Sequence, residues 1–228
     1  MKNKLETQYN PIANEFDAQN EIMNKKSCRS QRKLMGKHVL PYLKLSSRVL
    51  DLGCGTGEDL LFFQKKGFTC SGVDTSEEMC TISRQKIQDV RLEDFSKKMS
   101  FKNNFFDLVV SKFAMQTAKN ILPIHREACR VLKSGGYFCF LVVHPFRQFL
   151  EKKKEGKDYF KKEIVDSVLF DGKITVHEPT HIMEEYISVW FLKHFELIVL
   201  HEGYEFPAAE QIDGDTYPTY LAVVARKK

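Results

Sequence analysis

The 228-residue sequence has no run of 18 apolar residues, and its Lys-rich start leads into polar residues. Neither a membrane span nor a signal peptide is therefore expected, and a cytoplasmic protein follows. Its six cysteines (Cys28, Cys54, Cys70, Cys80, Cys129 and Cys139) form no CxxC pair and have no histidine beside them in metal-like register. That pattern argues against a disulfide framework and against a metal site, and leaves the thiols as small apolar fillers of a reduced interior. With 12 Gly, 7 Pro, 43% hydrophobic and 29% charged residues, the composition excludes low-complexity disorder. Folding at this length buries roughly 70–75% of the extended chain's surface, enough for one substantial core without cross-links.

The net charge of +5 is unevenly placed. Residues 1–48 hold ten Lys or Arg against four Asp or Glu, so the remainder is nearly neutral. Lys25, Lys26, Arg29, Arg32, Lys33 and Lys37 recur at helical spacing, while Met23, Cys28, Leu34, Met35 and Tyr42 fall elsewhere on the wheel. This pattern predicts a basic amphipathic helix from about Glu21 to Pro41, either a solvated face or an attractor of an anionic partner.

From Arg48 onward, apolar runs alternate with helical patterns. Strands are predicted at 48–52, 68–73, 90–92, 105–111 and 137–143, and helices at 57–66, 76–84 and 122–132. Ser76 reads as an N-cap, with Glu77 and Glu78 favourable in the first helical turn. Such alternation argues an α/β fold, a parallel sheet covered on both faces. Beyond His144-Pro145-Phe146 the pattern changes to a polar crossing over 151–163 and a hairpin at 165–170 and 173–177, turning at Asp171-Gly172. A helix over 181–193 and strands at 196–201 and 219–225 follow. No linker separates two domains, so residues 1–228 are expected to form one, with 1–47 as a helical cap and 145–178 as an insert and hairpin near a binding pocket.

The stretch Asp51-Leu52-Gly53-Cys54-Gly55-Thr56-Gly57 joins a strand to a helix, and its glycines let the backbone approach a ligand. The dinucleotide fingerprint requires its third glycine where Glu58 stands, and no GxxxxGK[ST] loop exists, so dinucleotides and nucleoside triphosphates are disfavoured. Asp74 ends the second strand, where a carboxylate can accept from a ribose diol. Asp94, after the third strand, can accept from an adenine amino group, and Ser111 ends the fourth.

In these motifs the sequence resembles the class I S-adenosylmethionine-dependent methyltransferases, most specifically over residues 48–144. The resemblance implies a Rossmann-like three-layer sandwich whose seven-stranded, mostly parallel sheet has the order 3-2-1-4-5-7-6, strand 7 antiparallel. It implies S-adenosyl-L-methionine as cofactor and S-adenosyl-L-homocysteine as product. Gly53, Cys54, Gly55 and Gly57 would line the methionine side and Asp51 orient its amino acid part. Asp74 and Thr75 would hold the ribose, Asp94 and Phe95 flank adenine, and Ser111, with Lys112 and Phe113, border the methionine. Tyr9 and Phe16 are similar to aromatic residues that close over the cofactor.

Methyl transfer needs positioning above all, and a general base only where the acceptor must lose a proton. His144, His177 and His181 are the candidate bases or positioning groups, with Glu184 and Tyr186 as further candidates. Ser111-Lys112-Phe113-Ala114 stands where base-amino methyltransferases carry Asn/Asp-Pro-Pro-Tyr/Phe, and no Pro-Cys pair offers an attacking thiol. The expected acceptor is therefore the O or N atom of a small molecule. The alternatives are an RNA nucleoside, with the basic helix tracking phosphates, and a cofactor-binding regulatory subunit without turnover.

Overall fold

The computed structural model describes residues 9–17, 25–150, 152, 156–169, 174–204 and 217–228. The Asp171-Gly172 turn, residues 151 and 153–155 of the 151–163 crossing, Met23, and the side chains of Lys25, Lys26, Cys28 and Arg29 lie outside the described residues.

Helix α1 (Lys25–His38) precedes a 3-10 turn at Leu40–Tyr42, where Pro41 sits in the first turn. The alternating region then gives β1 (Arg48–Leu52), α2 (Glu58–Gln64), β2 (Thr69–Asp74), α3 (Glu77–Arg84), β3 (Asp89–Leu92), β4 (Phe106–Lys112), α4 (Leu122–Val131) and β5 (Leu132–Val143). Local chemistry sets the boundaries. The Ser76 hydroxyl accepts from the Met79 N–H at 3.2 Å and caps α3, while Pro123 occupies the first turn of α4, where no amide partner is needed. Next come α5 (Pro145–Leu150), the hairpin β6 (Ile164–Leu169) and β7 (Ile174–Pro179), α6 (Met183–Tyr186), α7 (Val189–His194), β8 (Phe195–Gly203) and β9 (Tyr220–Lys227).

Seven strands form one sheet in the order β3-β2-β1-β4-β5-β9-β8, and β6 and β7 form a separate two-stranded sheet among the described residues. With the hairpin set aside, the sheet's own strands run 3-2-1-4-5-7-6, the order the family resemblance implies. The strands from β3 to β5 are parallel, and β9 enters antiparallel between β5 and β8. Period-two alternation in β5 shows both faces covered. Phe138, Phe140 and Val142 join the cluster beneath α4 and α7, whereas Tyr137 and Cys139 join Met35, Val39, Leu60 and Phe63 beneath α1 and α2. No helix among the described residues is long and apolar enough to cross a membrane.

Two elements differ from the sequence reading. The single helix expected over 181–193 is two, because Ile187 leaves helical geometry at φ −118°, ψ 58° and Ser188 starts a new helix by accepting from the Phe191 N–H at 3.1 Å. A helix also forms at once after β5, with Pro145 at its first position and the His144 imidazole accepting from the Phe146 N–H at 3.1 Å.

Candidate active site

The turn after β1 carries three glycines with positive φ, and their surroundings separate them. A Cβ on Gly53 would collide with the Ala114 side chain, and one on Gly57 with Ser83, so both are dictated by packing. A Cβ on Gly55, at φ +51°, would meet no atom of the described residues within 4 Å. The loop is held from β2: Gly53 and Cys54 donate to the Val73 carbonyl at 2.8 and 3.0 Å, and Gly55 donates to Asp74 Oδ2 at 2.8 Å. The Ser76 N–H donates to Asp74 Oδ1 at 2.9 Å. Burial pushes the Asp74 carboxyl up, against the amides of Ser76, Gly55 and Thr75, which favour its charged form.

Asp51 is 3% exposed on β1, and its Oδ1 has no hydrogen-bond partner among the described residues. Desolvation, then the carboxylates of Asp59 and Asp74, push it well above the usual range despite the opposing charge of Lys112. Nearby, Asp59 is held low: burial would raise it, but Lys112 and Arg32 outweigh that. Arg32 reaches Asp59 from α1 at 3.0 Å and lies 4.5 Å from the Phe62 ring centroid, so part of the basic face is spent on docking α1. Lys33 and Lys37 remain exposed.

Two other predicted ligands are committed to the frame. The Ser111 hydroxyl is fully buried and donates to the Leu52 carbonyl at 2.9 Å, tying β4 to β1. Asp94 closes its own turn, Oδ1 accepting from Ser96 N and Oγ at 2.9 and 2.6 Å and Oδ2 pairing with Lys97 at 2.9 Å. Burial pushes Asp94 up, but those partners hold it low. Phe95 packs into the core beside Ala114 and Val73.

The segment 9–17 crosses over this loop. Asn10 Oδ1 accepts from the Ser76 hydroxyl at 2.6 Å, the Thr56 hydroxyl donates to Asp17, and Lys86 bridges Asp17 and Glu58 at 3.0 and 2.7 Å. Tyr9 and Phe16 meet edge-to-face with centroids 6.1 Å apart. Burial, then the carboxylates of Glu178 and Asp74, push the Tyr9 phenol up. Asp17 and Thr56 escaped the sequence reading, although Thr56 lies inside the glycine loop that carried it.

On the opposite side the three candidate histidines are separated. His144 is 3% exposed, with Nδ1 accepting from Phe146 and Nε2 2.9 Å from Glu202, so both nitrogens are engaged. Burial lowers its pKa although Glu202 opposes that. His181, 2% exposed, places Nδ1 2.7 Å from Glu185 and Nε2 3.1 Å from the Gln116 carbonyl. Both ring nitrogens of His181 are thus engaged within the fold. His177 lies on the exposed face of β7, 2.7 Å from Asp166 across the hairpin. These contacts tie His144 and His181 into the frame and His177 into the hairpin. The inward residue of β7 is Glu178, 3% exposed. A hollow of about 90 Å³ between Tyr159, Lys162, Thr180 and Glu185 is too small for a substrate-sized ligand.

Residues 50–140 match a methyltransferase domain family. Over that stretch the chain is similar to methyltransferase domains. It is 32% identical over 119 residues to YqeM of Bacillus subtilis, a provisionally named methyltransferase, covering 49% of this chain and 48% of that protein. It is 27% identical over 170 residues to the demethylmenaquinone methyltransferase of Staphylococcus haemolyticus, covering 70% and 69%. The chain thus spans only about half the length of YqeM, as of several other curated relatives it matches. The crystal structure of an S-adenosylmethionine-dependent methyltransferase from Mesorhizobium loti shares the fold, with a TM-score of 0.66 and 20% identity over 87% of this chain and 96% of that one. S-adenosylmethionine, the cofactor named for that structure, fits the residues of the glycine loop here: Gly55 leaves a cradle that a Cβ would fill, and orphaned Asp51 Oδ1 would suit the cofactor's ammonium.

Proposed function

We propose that this chain transfers a methyl group from S-adenosylmethionine to an O or N atom of a small molecule. The observation that carries the reading is Gly55, the one glycine of its loop where a Cβ would meet no described atom within 4 Å, with its N–H held by Asp74 beside the buried, unsatisfied Asp51. The bound cofactor supplies an electrophilic methyl group on a sulfonium. The chain's part is placement. Asp51 would orient the amino acid part, the remaining acceptor capacity of Asp74 and the neighbouring Thr75 would take the ribose, and Cys54, Gly55 and Gly57 would line the path between them. Asp94 and Phe95 would flank the adenine.

Residues 9–17 and the stretch from His144 to Tyr186 would enclose the acceptor, with His144 and His181 fixing the walls. Enclosure removes water, and aligned reactants avoid the entropy cost of encounter, which accounts for most of what such a site must provide. The absence of a Pro-Pro-Tyr motif after β4 favours a small molecule over a nucleic-acid base. The test is titration calorimetry with S-adenosylmethionine, followed by a screen of small metabolites for S-adenosylhomocysteine release. Absence of cofactor binding would refute the reading, and release only with RNA would replace the acceptor.

A further inference from the structure

One long stretch of the chain lacks acidic residues. Residues 22–50 carry eight Lys or Arg and no Asp or Glu. Arg32 is spent on Asp59, and Arg48 lies over the Phe105 ring, 4.3 Å from its centroid. Lys37 and Lys44 stay exposed, with no ion pair among the described residues. Lys65 and Lys66, just past α2, are exposed as well, and the Ser46 N–H donates to the Gly67 carbonyl at 3.0 Å, which joins the two loops.

Two large apolar side chains stand out of this basic ground: Tyr42 is 69% and Leu45 81% exposed. The local backbone holds them there. The Ser47 N–H donates to the Lys44 carbonyl at 3.0 Å and the Ser47 hydroxyl accepts from the Lys44 N–H at 3.0 Å, closing a turn with Leu45 and Ser46 at its tip. Ser46 supplies the positive φ of +66° that such a turn requires. Turn tips favour Gly, Asn, Asp or Ser, and a leucine there is set against water by the fold itself. Leu45 Cδ2 would lie 3.2 Å from a Cβ on Gly67, next to Lys65 and Lys66 in sequence. Tyr42 is steadied by stacking on Tyr137, with centroids 6.2 Å apart. Phe160 is 78% exposed too, but Asp158 stands beside it and accepts from its N–H at 2.8 Å.

We propose that Tyr42 and Leu45, flanked by Lys37, Lys44, Lys65 and Lys66, dock the chain on the surface of an anionic lipid bilayer. A leucine on a turn tip gains by leaving water for hydrocarbon. A tyrosine suits the boundary, where its ring is dry and its hydroxyl wet. Lysines lay their apolar stems along that boundary and reach anionic headgroups with their ammonium groups. RNA would attract the same lysines, but it gains from aromatic faces on which bases stack. One face of Tyr42 is already covered by Tyr137, and Leu45 offers none. The patch lies at the Arg48 end of β1, whereas the glycine loop follows Leu52 at the other end, roughly 15 Å away along the strand. A docked chain thus keeps its glycine loop clear of the bilayer, and the proposal stands apart from the methyl-transfer reading.

The test floats the full chain with vesicles of phosphatidylcholine alone, or of phosphatidylcholine and phosphatidylglycerol in equal parts, and measures its binding to RNA in parallel. The expected result is flotation with the anionic vesicles and none with the neutral ones. Lys44→Gln combined with Lys65→Gln should weaken vesicle binding about tenfold or more. Leu45→Ser should weaken it about tenfold, and Leu45→Met, which keeps an apolar tip, should restore it. Thermal unfolding checks that these exposed positions leave the fold intact. No flotation with anionic vesicles overturns the proposal, and so does RNA binding without vesicle binding, which would assign the lysines to phosphates. Leu45→Ser floating like the wild type, or Leu45→Met failing to restore binding, also overturns it, because the leucine would then enter no lipid.

Discussion

The glycine loop and the wall opposite it use polarity in contrasting ways. Around the loop, a short strand–turn–helix stretch places each group: Asp74 accepts from backbone amides, two glycines are fixed by packing, and the open position at Gly55 and the orphaned Asp51 Oδ1 remain for a ligand. Across the cleft, the residues come from a turn after β4, a hairpin strand and a short helix that are distant in sequence. There the histidines are consumed by structure and the unused atoms belong to Gln116 and Tyr186. One half is specified locally and carries the cradle proposed for the cofactor. The other is assembled from afar and can change acceptor without disturbing the first.

The sharpest way to break this contrast is to make the same substitution twice in the loop. Gly55→Ala should reduce S-adenosylmethionine affinity more than a hundredfold, with only the modest backbone cost of a positive φ, about 1–2 kcal/mol. Gly53→Ala should instead destabilise the fold, because its Cβ overlaps Ala114. Calorimetry with thermal unfolding separates the outcomes, and equal effects would mean that Gly55 faces no ligand.

A smaller effect is expected at Asp74. Its alanine variant releases the Gly55 amide and removes a ribose acceptor, and at about 1.5–3 kcal/mol per charge-assisted bond affinity should fall roughly tenfold to a hundredfold. Asp51 adds a pH signature. Its raised pKa leaves the free site partly protonated above the usual carboxylate range, whereas a bound ammonium favours the charged form, so cofactor affinity should rise with pH until Asp51 is ionised. Asp51→Asn should abolish that rise, weaken binding about tenfold, and raise the melting temperature near neutrality, because the fold no longer buries an unpaired charge. A melting temperature that drops would show that Asp51 supports the fold.

The last prediction concerns a site outside the cleft and should leave binding untouched. His125 is fully buried on α4 among Phe138, Phe140 and Phe191, and neither nitrogen has a partner among the described residues. Burial lowers its pKa from 6.5 to about 3, so the unfolded chain takes up a proton that the fold refuses. Stability should therefore decline as pH falls below about 6.5 and continue to do so toward about 3. At pH 5 this amounts to roughly 2 kcal/mol. His125→Phe should remove this acid-side loss in urea unfolding curves taken between pH 7 and 5. An unchanged slope would assign the acid sensitivity elsewhere.

What the sequence disclosed follows the same division. β1 to β5 were legible because Arg48–Leu52, the glycine turn and the Ser76 cap each state their structure within a few residues. The acceptor wall was not. His177 stood out by residue type, yet the phase of β7 puts it outside and Glu178 inside, and that phase is set by pairing with β6 and packing against the turn after β4. His144 and His181 looked chemically available until their partners Phe146, Glu202, Glu185 and the Gln116 carbonyl were visible. The break at Ile187 hinges on one serine cap, a signal too short to override a continuous apolar pattern.

The placement of β9 has a consequence for how the molecule is made. Residues 220–227 form the seam that pairs with β5 on one side and β8 on the other, so β8 has no route into the sheet until those later residues have emerged from the ribosome. The cofactor half can take shape while synthesis continues, but the wall beside His144, bonded to Glu202 of β8, is left open until the seam is sewn. A nascent chain could thus hold its cofactor before it has anywhere to put an acceptor.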